Sequence, residues 1–562
     1  MVGERSREIV FIVRRFLFCA PILALLIPCP DLAGAATIEL PVLKWESAGC
    51  YSSWCETGWY SSPAVADLDG DGTPEVIASA YSIVVLSGAT GDLQWRVASG
   101  HDRSEPGANS EGRTWPGIVV TDIDGDDLPE IVTAHSGGWV SVYNASGYFE
   151  PGWPQRPTTS ELRGLSVGDL DADGTYEIVV TAAIGSKTNT WVLEHNGGVR
   201  SGWPRVGTGP GYAWGMYNDN AAIADLNGDG ASEVVVPSDV HYICAYDDHG
   251  TPLATHADYG DKVWGEVGVW ESPVVELRGW GTCNQADGRQ ERNRTNFAHG
   301  PAAIADVNGD GTMEIIAAGN TYDCAINPYA SLYGGVFVFN SDRSRFADSG
   351  FDWTTVPVDT GSPLVEDYDV IESVHPNPVV ADLDGDGQKE ILFPSYDGRM
   401  HAFWLDKTEH GSWPYSIYNA GEGLYRFASE PVVVDLDDDG SAEVLFTSWV
   451  EKGSDETGWL HILDGQGNPI HEVALPAAYG SPDWNGAMAA PTLANIDLDP
   501  DLEIVINTAH SGVVAYDLPG TASARVLWRT GRGGYHRAGV GESDVVFADG
   551  FETGDTRLWS LP

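Results

Sequence analysis

The chain has 562 residues, with 82 Asp and Glu against 30 Lys and Arg, and a formal net charge of −52 at pH 7. That balance argues against nucleic acid and anionic membrane as partners. Its 67 Gly and 21 Trp, without any long helical pattern, point to many turns and to large flat rings between packed sheets.

The first element is an export signal over residues 1–36. A basic stretch, "MVGERSREIVFIVRR", precedes twelve apolar residues, "FLFCAPILALLI", and "AGAA" offers small residues for cleavage after Ala35 or Ala36. The apolar part is short for a span, and no later run approaches about eighteen apolar residues, so no membrane span is expected and the mature chain is placed outside the cytoplasm, secreted or at the cell surface. A lipid-anchored reading at Cys29 is disfavoured by Pro28, which stands where a small residue is required.

From there an acidic nine-residue frame repeats. In "ADLDGDGTPEVI", residues 66–77, Asp67, Asp69 and Asp71 are the first, third and fifth positions, Gly72 the sixth, Thr73 the seventh and Glu75 the ninth. Carboxylates so crowded resist joint ionisation unless a cation joins them. Calcium takes about six to eight oxygens from alternate side chains and a seventh-position carbonyl, with glycine at the sixth for the turn. The frame recurs with Asp122, Asp124, Asp126 and Glu130; Asp169, Asp171, Asp173 and Glu177; Asp225, Asn227, Asp229 and Glu233; and Asp306, Asn308, Asp310 and Glu314. Three further copies hold Asp382, Asp384, Asp386 and Glu390; Asp435, Asp437, Asp439 and Glu443; and Asn495, Asp497, Asp499 and Glu503. Two copies depart from the glycine rule. Asp127 can adopt the left-handed backbone required at the sixth position, whereas Pro500 cannot.

Start-to-start spacings of 55, 47, 56, 81, 76, 53 and 60 residues suit one four-stranded sheet per copy. Residues 115–153 show the grammar: "WPGIVVT", acidic loop, "EIVTAH", the turn "SGG", "WVSVYN", then "ASGYFEPGW" as a Gly-rich turn and short fourth strand. Repeated radially, such units make a β-propeller of eight blades, with seven as the alternative, over residues 37–540. Either "PVLKWES" (41–47) or "RVLWRTG" (525–531) would complete the last blade as its outermost strand. "SGWPR" and "EPGWPQR", with Trp203 and Trp153, fall where fourth strands end and are expected to pack between blades.

These units resemble the FG-GAP/VCBS repeats of integrin α-subunit propellers and of many secreted bacterial proteins. The likeness lies in the loop Asp-x-Asp-x-Asp-Gly-x-x-Glu flanked by "PAVADLDGDG" and "PEVI", and extends over roughly residues 40–540. It implies calcium as the cofactor, in the turn between first and second strands, and is more specific for fold than for function.

In propeller topology the first-to-second and third-to-fourth connections share one face, and the second-to-third and blade-to-blade connections the other. Insertions at 255–299, 319–334 and 345–377 are expected on that second face, where long loops on a rigid scaffold favour binding. The first carries Trp264, Trp270, Arg278, Trp280, Arg289, Arg292, Arg294 and His299; the others add Tyr322, Tyr329, Tyr333, Trp353, Tyr368 and His375. Aromatic faces beside guanidinium forks suit a sugar bearing a carboxylate, or an acidic surface protein. The expectation is therefore a calcium-stabilised binding or adhesion module. The alternative is a polysaccharide-active enzyme: some rhamnogalacturonan lyases resemble this architecture, and a lyase here would need His299 or His375 beside Arg278 near the ring axis.

Outside the signal there are five cysteines. Cys50 with Cys55 would close "CYSSWC", Cys283 with Cys324 would tie two insertions, and Cys244 stays single as a buried hydrophobe. "TAHSG" occurs at His135 and His510, at equivalent second-to-third turns, and turn chemistry accounts for it. Residues 541–562 form a C-terminal tail whose "FADGFETGDTRLWS" resembles a short segment found on some exported bacterial proteins.

Overall fold

The computed structural model describes residues 38–51, 54–55, 60–183, 188–205, 221–237, 242–269, 293–297, 300–323, 330–354, 358–365, 377–480 and 482–541. Residues 1–36, read above as an export signal, and the tail beyond residue 541 lie outside the described residues, as do Cys283, Cys324, His299, His375 and Arg278.

Eight antiparallel sheets form an eight-bladed β-propeller, and among the described residues the only helix is in short 3-10 turns. Blade 1 is Ala64–Ala66, Glu75–Ser79, Ser82–Ser87 and Leu93–Ala98, paired in that order. The acidic loop joins its first two strands, with Ala66 facing Glu75 across the pair. The same register returns in every blade: Thr121 faces Glu130, Gly168 faces Glu177, Ala224 faces Glu233, Ala305 faces Glu314, Ala381 faces Glu390, Val434 faces Glu443 and Ala494 faces Glu503. β-Branched runs such as Glu177–Ala182 are buried on both sides, because each sheet is covered by a blade on either face.

Tryptophans join consecutive blades. Each donates its indole N–H to a carbonyl of the next blade: Trp45 to Gly88 (2.7 Å), Trp95 to Ala145 (3.1 Å), Trp153 to His195 (3.0 Å) and Trp203 to Asp248 (3.1 Å). Trp264 to Ser341 (3.0 Å), Trp353 to Leu405 (2.9 Å) and Trp413 to Gly465 (3.0 Å) continue the series. Three of the rings sit over glycines in the left-handed region, Gly91, Gly147 and Gly467, where an added Cβ would meet indole carbons at 2.8–3.0 Å. Trp153 and Trp203 are thus inter-blade residues, as the sequence indicates.

Ring closure uses both ends of the fold. Strand Val42–Ala48 pairs with Val513–Leu518 as the outermost strand of blade 8. Strand Arg525–Trp528 is not an outermost strand: it pairs with Val432–Asp435, the inner strand of blade 7. The chain then continues along the inner strands that line the axis. The carbonyls of Arg529, His536, Ala538 and Gly539 accept from the N–H groups of Leu493, Val167, Ile223 and Ile304, in blades 8, 3, 4 and 5. The axis is therefore filled by residues 525–541, with Arg532 and Arg537 buried there.

The insertions divide between faces. Residues 319–334 lengthen the central hairpin of blade 5, Glu314–Asp323 with Ala330–Asn340, and Asn293–Asn296 adds to its far end. The 345–377 segment differs from the expectation: its hairpin Ala347–Asp348 and Phe351–Asp352 lies on the acidic-loop face, where Asn308 donates to Asp348 at 3.2 Å. This is a third-to-fourth connection, because Val358–Asp359 supplies the fourth strand of blade 5. Cys50 is disulfide-bonded and faces Cys55 in register across a two-residue hairpin, while Cys244 is free and buried.

Candidate functional site

The acidic loops are held open by their own backbones. In blade 1, Asp67 accepts from the N–H groups of Asp71 (3.1 Å) and Gly72 (2.8 Å), Asp71 accepts from Thr73 (2.8 Å), and Glu75 accepts from Leu68 (2.9 Å). The ninth-position glutamate makes the same bond to the second-position N–H in the other loops, at Ile123, Leu170, Leu226, Val307, Leu383, Leu436 and Ile496. The sixth position has positive φ in seven loops, including Asp127 at 67°. In the eighth, Pro500 has no N–H to give, and the Asn495 amide donates to the Asp499 carbonyl instead.

Carboxylate oxygens converge within 4.8 Å in several loops: Asp67, Asp69 and Asp71; Asp122, Asp124 and Glu130; Asp382, Asp384 and Glu390; Asp435, Asp437 and Glu443. Burial pushes Glu130, Glu314, Glu390 and Glu443 up to about 8 against one backbone bond each, and the neighbouring aspartates push the same way. The Asp437 Oδ1 atom is buried without a hydrogen-bond partner. An all-oxygen donor set with a buried, unpartnered carboxylate oxygen fits a hard cation.

Two loops differ. Lys44, from the outermost strand of blade 8, places its ammonium on Glu503 at 2.8 Å and on Asp497. Arg200, in the fourth-strand turn of blade 3, reaches Asp171 at 2.8 Å and Glu177 at 3.1 Å, with Glu194 and Asp248 each at 3.3 Å. The loop frame carries no sign of either; the signal lies one or three places ahead of a blade-joining tryptophan, Lys44 directly before Trp45 and Arg200 three places before Trp203.

Among the residues expected to bind ligand, Trp264 is fully buried, joins blade 4 to blade 5, and packs edge-on against Phe339. Trp353 is likewise a buried blade-joining residue. Arg294 belongs to the strand paired with Glu314–Asp323, opposite Tyr322. Trp270, Trp280, Arg289, Arg292, Tyr329 and Tyr368 lie outside the described residues.

The second face holds a cluster that the sequence did not announce. The Arg113 guanidinium lies 5.5 Å from the ring of Tyr60, 5.2 Å from Tyr81 and 5.3 Å from Trp115. Arg163 stacks on the same Trp115 at 3.7 Å and pairs with Glu161 at 2.9 Å. The Trp115 indole donates to Ser136 Oγ (2.8 Å), which donates to Glu161 (3.1 Å). Among the described residues Arg113 has no hydrogen bond or ion pair to its guanidinium. Tyr81 and Ser136 sit in the second-to-third turns of blades 1 and 2, so the cluster faces away from the acidic loops. These residues are dispersed over positions 60–163 and meet only because blades 1 to 3 are neighbours.

The family model for the FG-GAP-like repeat matches residues 122–180 and 382–446, each range running from one acidic loop through the next. The chain carries FG-GAP-like repeats. No curated protein matches it. Among solved structures, the FG-GAP-like propeller is similar to the V. cholerae biofilm matrix protein Bap1, at 14% identity over 90% of this chain and 96% of that one, TM-score 0.39. It is similar also to the exotype rhamnogalacturonan lyase YesX (14% identity, 85% and 75% covered, TM-score 0.44). BamB from Moraxella catarrhalis gives 15% identity, 83% and 98% covered, and a TM-score of 0.43. At these TM-scores none of the three similarities bears on function.

Proposed function

We propose that the protein is an exported, calcium-stabilised propeller that binds an anionic carbohydrate or the acidic surface of a protein through the face opposite its acidic loops. The observation that carries the binding reading is Arg113, a cation in a chain of net charge −52 that is enclosed by three aromatic rings and left without a carboxylate. A guanidinium fork flanked by ring faces offers a carboxylate two parallel hydrogen bonds and offers a sugar or peptide an apolar wall. The filled axis favours this face over the centre of the ring. Calcium is supported by the repeated oxygen-only loops, and export by the basic-then-apolar opening of the chain.

One screen tests the binding reading: purified protein against polysaccharides with and without uronate groups and against acidic surface proteins, read for binding and for new unsaturated ends. Uronate-dependent or acid-dependent binding, lost in Arg113→Ala and weakened by salt, is expected. Binding unchanged in that variant, or new unsaturated ends, would count against it. Chelation tests the metal: the melting temperature should fall sharply and recover with calcium but not with magnesium, whereas an unchanged value would remove calcium from the account.

A further inference from the structure

We propose that the loops of blades 3 and 8 are occupied by side-chain cations of this chain, Arg200 and Lys44, in the place where the other six loops take a divalent ion. The inference rests on the calcium reading above and says which loops that reading covers.

Lys44 and Glu503 are 459 positions apart and meet because the first strand of the fold closes blade 8. The ammonium touches the third- and ninth-position carboxylates of that loop, the pair that a cation must bridge. The same loop also has Asn495 in place of the first aspartate and Pro500 in place of the turn glycine, two further departures that weaken it as a metal loop. In blade 3 the frame is intact, and its carboxylates converge within 4.8 Å as in the other loops. Yet Arg200 bonds to its third- and ninth-position carboxylates, Asp171 and Glu177, and is held there by Glu194 and Asp248. Two positive charges cannot share so small an oxygen cage without strong repulsion.

Other blades show what the same neighbourhood does when no cation is supplied. In blade 1 the residue ahead of Trp95 is Gln94, whose amide donates to Glu75 at 2.8 Å and leaves the loop its full negative charge. In blade 2 the residue three places before Trp153 is Glu150, which lies close enough to Asp124 and Asp126 to feel their charge and adds a further carboxylate. In these four blades the residue that reaches the cage comes from one or three places ahead of the blade-joining tryptophan, and it is cationic only in blades 3 and 8.

The test is a count of calcium ions on the full-length protein after equilibrium dialysis, by elemental analysis, with melting temperature read beside it. Six ions are expected for the parent, seven for Arg200→Gln and five for Gln94→Lys, while Arg200→Lys should stay at six. Eight on the parent would overturn this inference and leave the calcium reading standing. Six on both Arg200→Gln and Gln94→Lys would also overturn it, because the cage charge would then not decide occupancy. No bound calcium on the parent would remove the calcium reading and this inference with it. The parent count decides the matter even if a variant fails to fold.

Discussion

His135 is fully buried at the second-to-third turn of blade 2, its Nε2 3.5 Å from Ser141 Oγ and its Nδ1 without a partner. Burial pushes the imidazole down to about 3, and His101 nearby acts in the same direction. A folded-state value below the ordinary 6.5 means that the neutral ring stabilises the fold fully above pH 6.5, and that this stability is lost as pH falls toward 3. The loss amounts to about 1.4 kcal/mol for each pH unit in that window. Between pH 6.5 and 4.5 the parent should therefore lose about 2–3 kcal/mol more than His135→Gln does, as read from urea midpoints at the two pH values. Parallel losses would show that the ring is not what acid attacks. At this scale the sequence was informative wherever spacing alone defines the chemistry: the loop carboxylates, and Asp127 adopting the left-handed turn with φ of 67°. It was silent on Lys44 and Arg113, because their partners come from other blades and are set by pairing, not by spacing.

At the scale of the element, the fourth strand has more influence than its length suggests. In blades 2 and 3 it is a pair of isolated bridges and in blade 6 it is two residues long, yet the tryptophan that holds the next blade lies within or just before it. The sequence showed this for Trp153 and Trp203, where "GWP" repeats, and hid it at Trp264 and Trp353, which stand inside insertions and resemble ligand-binding aromatics. An indole N–H needs a partner when buried, and here the partner is a carbonyl of the neighbouring blade. Trp153→Phe keeps the ring but leaves the His195 carbonyl unpaired, and should cost about 1–2 kcal/mol. Trp153→Ala should cost about 3–5 kcal/mol, since it also empties the space that the buried ring fills between blades 2 and 3. Denaturant titration distinguishes the two contributions: a Phe variant as stable as the parent would mean that the tryptophans act by packing alone.

On the scale of the whole molecule, the propeller is closed from both ends at once, by Val42–Ala48 on the outside of blade 8 and by residues 525–541 along the axis. Eight blades were legible in eight acidic frames, whereas the axial course of "RVLWRTG" was not, since an inner and an outer strand have the same alternating pattern. Arg537 is the centre of the axial segment. Its guanidinium donates to the carbonyls of Ile118 (2.9 Å), Ser62 (3.2 Å), Pro63 (2.9 Å) and Gly531 (2.9 Å) and to Thr530 Oγ1 (2.8 Å), joining the entrances of blades 1 and 2 to the chain end. Gly117 makes room for it: a Cβ there would meet Arg537 Nε at 2.7 Å. Removing a buried charge whose hydrogen bonds are all satisfied leaves several carbonyls without donors, so Arg537→Ala should destabilise the ring by about 3–5 kcal/mol. Because Ser62, Pro63 and Ile118 lead directly into the inner strands of blades 1 and 2, the damage should reach the ring, and the variant should melt earlier in calcium and in chelator alike. A variant that melts with the parent once calcium is saturating would show that the loops alone hold the ring closed and that the axial segment is a passenger.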